Sequence, residues 1–370
     1  MRRLLLLLGL LLLLSPAALA LSEEELLDLQ SEAVGADALE HDVPPEARTV
    51  LDQAGITRGT SFEGGLGRIW GYAFGQLGGV FREAARSAAV LMVIALLVGL
   101  AGSVYAGSGS PVPDFVPLVG VLAVSGAAVG TSYAFIGLGV DTLQSLDLFS
   151  TALLPVMAAA GTAGGALTSA AVKYAGTVLF LDILMTATTR VVMPLIYAYI
   201  GASVGAAALD SEGLRGAANL LKWVTGALIT AIMMTFVAYL TVTGVVSGSA
   251  DALTTRVART TIATALPVVG GIVADAAETV LAGAVMVRNG VGVTGLLVVL
   301  AVCLIPILQL GAHYLMFKAA AGLSAGVTDK RIGGLIANLG TAFGMVMGLT
   351  GAGAIMLFFS ILSMMRMVAR

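Results

Sequence analysis

Eight apolar runs, near residues 87–106, 114–138, 151–171, 174–206, 215–247, 262–287, 291–312 and 333–364, punctuate this chain. Each reaches or exceeds the ~20 residues that a helix needs to cross a bilayer. A helix satisfies its backbone hydrogen bonds within one segment, which hydrocarbon demands. The reading is an all-α polytopic membrane protein with about eight apolar helices and a small N-terminal extracytoplasmic helical segment. Several runs hold Pro or Gly at their middles, which predicts kinks or half-helices. Only 11% of residues are charged and mean hydropathy is +0.99, against about 25% charged in soluble proteins.

The N-terminus sets the expected topology. Arg2 and Arg3 precede an apolar stretch from Leu4 to Leu14, and Ala18-Leu19-Ala20 supplies small residues for cleavage. This pattern predicts a signal peptide over 1–20 and a mature chain that starts outside the cytoplasmic membrane. Residues 21–86 then hold 12 of the 22 acids and five bases, whereas 87–370 hold 10 acids and 12 bases. The division is an acidic extracytoplasmic segment, 21–86, and a polytopic membrane domain, 87–370.

Within the first part, Ser22 and Glu25 fit a capping box, and a short helix is expected through Ala47 to Ala54. Phe62, Leu66, Ile69, Trp70, Phe74, Leu77 and Phe81 recur at three- and four-residue steps. That spacing predicts an amphipathic helix in the outer interface ahead of the first span, or one packed on the protein's own surface. With eight spans and an outside start, Lys173, Arg256, Arg259, Lys318, Lys330 and Arg331 fall inside. A loop with Asp141 and Asp147, a loop with Asp210 and Glu212, and the C-terminus fall outside, although Arg366 and Arg370 oppose the last placement. A re-entrant 262–287 segment would return the C-terminus to the cytoplasm.

Leu154-Pro155-Val156 is echoed by Leu266-Pro267-Val268, and Pro194-Leu195-Ile196 by Pro306-Ile307-Leu308. Both proline pairs are 39 residues apart. The echoes predict two repeats, 151–247 and 263–364, with helix breaks at Pro155, Pro194, Pro267 and Pro306. Three apolar segments per copy would make the second copy inverted, with a path at the repeat interface.

Charges at bilayer depth cost at least ~2.5–3.5 kcal/mol, so they face protein or water or snorkel to an interface. Asp275 and Glu278 share a helical face, and with Asp182 and Arg190 they are the candidates for a polar path. The same pair also suits a structural contact with a basic residue. Lys222 and Lys318 are placed to snorkel. Gly340, Gly344, Gly348 and Gly353 permit close helix packing.

Catalytic constellations are not expected. HExxH, CxxC and GxxxxGK[ST] motifs do not occur, and the reading is of no enzyme, no metal and no cofactor. The two histidines, His41 and His313, do not suggest a metal site. A net charge of −3 with no basic cluster argues against nucleic acid as a ligand. The lone Cys303 excludes an internal disulfide.

The stretch from Ala258 to Gly292, ARTTIATALPVVGGIVADAAETVLAGAVMVRNGVG, resembles the stage III sporulation protein AE family. Its points of likeness are Leu266-Pro267-Val268, Asp275, Glu278, Thr279, Val280 and Arg288-Asn289. Phe317-Lys318-Ala319-Ala320-Ala321 and the methionine-rich terminus are also similar. The resemblance implies a membrane component of the channel complex joining mother cell and forespore during endospore formation. It implies as partners the other stage III A proteins, including a secretion-type ATPase, and through them a forespore membrane protein. By resemblance, the location is the mother-cell membrane around the forespore. A permease-like role is one expectation, and an ion-coupled secondary transporter or a passive scaffold are the alternatives. Homo-oligomer formation is compatible with all three.

Overall fold

The computed structural model describes residues 41–57, 60–107 and 115–366 except 266–269, together with Pro113 and a few positions between 29 and 39; for 244–284 it describes helical backbone only. The expected signal peptide, the Ser22 capping box and Pro267 lie outside the described residues. Among the described residues the chain is helical, with no strand. A short helix, α1 (Pro45–Gln53), has Pro44 and Pro45 at its start, where a missing N–H costs nothing. It is followed by the long helices α2 (Phe62–Gly107), α3 (Phe115–Ala163), α4 (Leu167–Ala187), α5 (Met193–Leu209), α6 (Glu212–Ala265), α7 (Gly270–Ser324) and α8 (Lys330–Met365). A π turn, Thr188–Val192, joins α4 to α5 without breaking the rod.

Six of these rods are long and apolar enough to cross a membrane, with α4, the π turn and α5 counting as one. Eight apolar segments therefore become six spans. The 114–138 and 151–171 runs fuse within α3, and 262–287 runs on into 291–312 within α7. Asp141 and Asp147 sit mid-helix rather than in a loop. The missed turn is at Gly164-Gly165-Ala166, where Gly165 adopts φ +82°, a conformation open to glycine. The stretch expected to form a separate interfacial helix is instead the first half of α2, continuous with the first span.

Short connections make successive rods antiparallel, so their ends collect at two poles. The turns after α2, α5 and α7 share one pole, where Arg331 of α8 bridges Asp210 at 3.1 Å. The start of α2, the α3–α4 turn and the end of α8 share the other, where the Phe62 and Phe358 rings lie 6.3 Å apart. We call these the turn pole and the terminal pole. The eight-span assignment put Asp210 and Arg331 on opposite sides of the membrane, and their ion pair overturns it. Lys173 lies toward the terminal pole, away from Lys330 and Arg331, because its ammonium donates to the Ser363 carbonyl at 2.6 Å.

The stretch 151–247 takes in the end of α3, α4–α5 and the first part of α6, and 263–364 takes in α7 and α8. The α5–α6 and α7–α8 turns of the two stretches both lie at the turn pole. Pro155 and Pro306 sit inside continuous helices. Only Pro194 marks a change, since it follows the π turn that absorbs the Arg190 carbonyl it leaves without a donor.

The interior is built around α7 and α8, whose apolar windows are 61% and 50% buried, against 17% for α2 and for α6. Glycine faces on α8 set these contacts. A Cβ at Gly340 would stand 3.1 Å from Phe317 and one at Gly344 3.0 Å from Tyr314, both on α7. Gly353 faces Leu143 of α3, whereas a Cβ at Gly348 would meet nothing.

Candidate functional site

At the turn pole the two hairpin turns converge on a polar cleft. Helix α5 ends at Asp210, which takes the left-handed conformation at φ 49°. Its carboxylate thereby reaches Arg215 of α6 at 3.2 Å and Arg331 of α8 at 3.1 Å. Arg215 also pairs with Glu212, and Asp329 caps α8 by accepting from the Arg331 amide at 2.8 Å. One aspartate thus links two arginines from two hairpins. The cleft above this clasp measures about 960 Å³ and is lined by Ser203, Asn219, Thr328, Lys330 and Asn338 among others.

Exposed ion pairs are worth about 0–1 kcal/mol each, and Asp210 is 49% exposed. The clasp therefore sets hairpin register more than it sets stability. Asp210→Ala is expected to lose about 1–2 kcal/mol from the left-handed backbone alone. Asp210→Gly removes the same carboxylate but spares the backbone, so the stability difference between the two variants isolates that cost. Equal stabilities would show that the turn relaxes.

The sequence candidates do not gather here. Asp182 is exposed on α4 and lies within electrostatic reach of Asp147 on α3. Arg190 is exposed in the π turn, and among the described residues it makes no ion pair with Asp182. Asp275 and Glu278 fall on the early turns of α7, on backbone whose side chains lie outside the description. Pro155 and Pro194 are exposed, and Pro306 is buried. The clasp residues were legible in principle: each hairpin turn carries an aspartate followed by an arginine, Asp210 and Arg215, then Asp329 and Arg331.

Polar groups inside the bundle stitch helices together. Lys318 does not snorkel outward but donates to Thr341 of α8 at 2.7 Å, near the Tyr314 ring. Thr177 donates to Ser360 at 3.0 Å, and the Tyr239 hydroxyl donates to the Val172 carbonyl at 2.7 Å. His313 is fully buried with Nδ1 2.9 Å from the Gln309 carbonyl and its ring among Phe135, Phe317 and Phe343. Arg288 is buried 2% exposed beside the start of the α7 core.

Residues 57–367 match the family profile of Stage III sporulation protein AE. The chain belongs to that family. A stage III sporulation protein AE from Bacillus subtilis (strain 168) is 23% identical over 203 residues. The aligned stretch takes in 55% of this chain and 50% of that protein, so the chain spans about half the length of the curated relative it matches. No solved structure matches the chain. The family thus rests on sequence that covers all six membrane-spanning rods, from α2 to α8. A role in sporulation follows from membership.

Proposed function

We propose that this chain is a permease-like membrane component of the channel complex linking mother cell and forespore. Its six rods sit in the mother-cell membrane around the forespore. The turn pole faces the mother-cell cytoplasm, which agrees with Arg215, Lys330 and Arg331 in short turns. The terminal pole and α1 then face the space between the two membranes. The chain supplies a membrane body and no nucleotide-binding loop, so a secretion-type ATPase among the other stage III A proteins supplies the motor. A forespore membrane protein completes the conduit from the opposite side.

The observation that carries this reading is the polar cleft clasped by Asp210, Arg215 and Arg331 between two parallel hairpins. A clasp of weak, exposed pairs lets hairpins separate at low cost, which a gated path requires. The test replaces the native homologue of a spore-forming host with this chain carrying Arg331→Glu or the charge-conserving Arg331→Lys. Arg331→Glu should leave membrane insertion intact, cost about 1 kcal/mol, and abolish forespore gene expression after engulfment. Arg331→Lys, which keeps a cation beside Asp210, should retain most of it. Full activity of Arg331→Glu, or equal loss in both variants, would leave a scaffold in which the charge pairing of the clasp has no part.

A further inference from the structure

The rods are too long for the membrane they cross. Spanning needs about 20 residues, yet α2, α3 and α4–α5 run 46, 49 and 43 residues. From the turn pole, α2 is apolar for 20 residues and then meets Arg86, Glu83 and Arg82, all exposed. Exposed Asp141 on α3 and exposed Arg190 in the π turn stand at a similar level. At 1.5 Å per residue these charges lie about 28–39 Å from the turn pole, close to the ~30 Å thickness of the hydrocarbon core. Tyr133 and Tyr197, whose rings are 5.5 Å apart, tie α3 to α5 and align Asp141 with Arg190 about two turns of helix further on.

On the turn-pole side of this belt the outer helices expose Val93, Leu97, Leu100, Val119, Leu122 and Met234. Beyond the belt the same helices carry Glu63 and Arg68, then Gln144 and Asp147, then Asp182; the α6 sequence there adds Asp251, Arg256 and Arg259. The inner helices show no such change. Helix α8 has no charge between Arg331 and Arg366, and α7 none between Arg288 and Lys318. A helix wrapped by neighbours stays apolar at any depth, whereas an outer helix records the solvent it meets. Helix α1 agrees with the division: His41–Arg48 lie across a cleft of about 760 Å³ from Ser145, Leu148 and Thr151 of α3, beyond the belt.

We infer that the bilayer covers only the turn-pole half of the bundle and that the terminal-pole half stands outside it as a water-exposed helical tier. The tier projects about 36 Å at 1.5 Å per residue from Arg86 to the start of α2, and α1 seats on it. Leu66, Trp70, Phe74, Leu148, Leu167 and Leu179 are also exposed in this tier, on helices that carry Glu63, Arg68, Asp147 and Asp182. The inference needs the chain to be a membrane protein and is independent of the conduit.

The two tryptophans of the chain mark the two halves. Trp223 on α6 is 69% exposed in the membrane half, and Trp70 on α2 is 57% exposed in the tier, about 24 Å beyond Arg86. The test reconstitutes the full chain carrying Trp70→Phe or Trp223→Phe into vesicles of phosphatidylcholine brominated on the acyl chains. Trp223 should lose most of its fluorescence to the bromines. Trp70 should lose none and should be quenched by aqueous acrylamide. A Trp70 shielded from both quenchers contradicts a water-exposed tier and overturns the placement. Bromine quenching of Trp70, or its absence at Trp223, overturns it. A spin label at Leu148 in a Cys303→Ala background gives a second reading: collision with an aqueous nickel chelate supports the tier, and collision with oxygen alone overturns it.

Discussion

Gly176→Ala should destabilise the bundle by about 3 kcal/mol, read as a lower SDS fraction at the unfolding midpoint in mixed micelles. A Cβ at 176 would overlap the Tyr239 ring, since Cε1, Cζ and the hydroxyl oxygen all press on the glycine. The ring cannot swing aside freely. Its hydroxyl donates to the Val172 carbonyl at 2.7 Å, and its face leans on Phe180 at 5.4 Å, which in turn meets Phe236 at 5.5 Å. Overpacking costs about 1–3 kcal/mol, loss of the hydrogen bond about 0.5–1.5, and loss of the aromatic pair about 0.5–1.5. Tyr239→Phe, which sheds only the hydroxyl, should cost about 1 kcal/mol. The decisive control is Gly176→Ala combined with Tyr239→Ala. With the ring gone the new methyl has room, so the double variant should be less destabilised than the two singles together. Simple additivity would mean that the Ala methyl is accommodated without moving the ring.

This contact shows why the sequence disclosed the class of fold better than its packing. Runs such as Leu91 to Leu100 announce a span because hydrocarbon tolerates little else. Helix α1 was visible too, since Pro44-Pro45 opens it as proline opens helices. The fusion of segments in α3 was hidden because Asp141, Gln144 and Asp147 look like a polar loop in a chain so short of charge. They are instead the outer side of a helix, Asp141 and Gln144 exposed and Asp147 half-buried, whose opposite face, Leu143, Leu146 and Phe149, is buried. Gly164-Gly165 carried the turn signal within a run that hydropathy alone had read as continuous. The proline echoes suggested two copies, but the direction of such copies depends on counting turns, and the turn at Gly164-Gly165 was hidden in an apolar run. The candidate path was harder still. Asp182 and Arg190 drew notice as charges in apolar runs, yet both are exposed near the level where the outer helices change character. Asp210 and Arg331 are 121 residues apart in the sequence, and nothing local foretells that their turns meet.

Gly99→Ala should be nearly as damaging, for a different reason. The Cβ would overlap the carbonyl oxygen of Val327, a main-chain atom, and no rotamer change can clear it. Val327 lies in the α7–α8 turn, where its amide donates to the Ser324 carbonyl at 3.0 Å and the Thr328 amide to the same oxygen at 3.0 Å. Two residues later Asp329 caps α8, and Arg331 ties the turn to Asp210. Displacing the carbonyl would therefore drag on the clasp itself, so helix α2 should yield first and lift from the turn. The neighbouring contacts leave it little latitude, because a Cβ at Gly120 would meet Val98 at 2.8 Å, showing how closely α3 approaches the same stretch of α2. A loss of about 2–3 kcal/mol is expected from overpacking, with increased proteolysis between α2 and α3 in reconstituted vesicles. Gly102→Ala provides the contrast. It lies one turn along α2 with nothing within 4 Å of its Cβ, and by helix propensity alone it should gain up to about 1 kcal/mol. If both alanines behaved alike, the close seating of α2 on the turn would be wrong; if only Gly99→Ala weakened the protein, the first span would be anchored through a single backbone contact at the pole where the clasp is built.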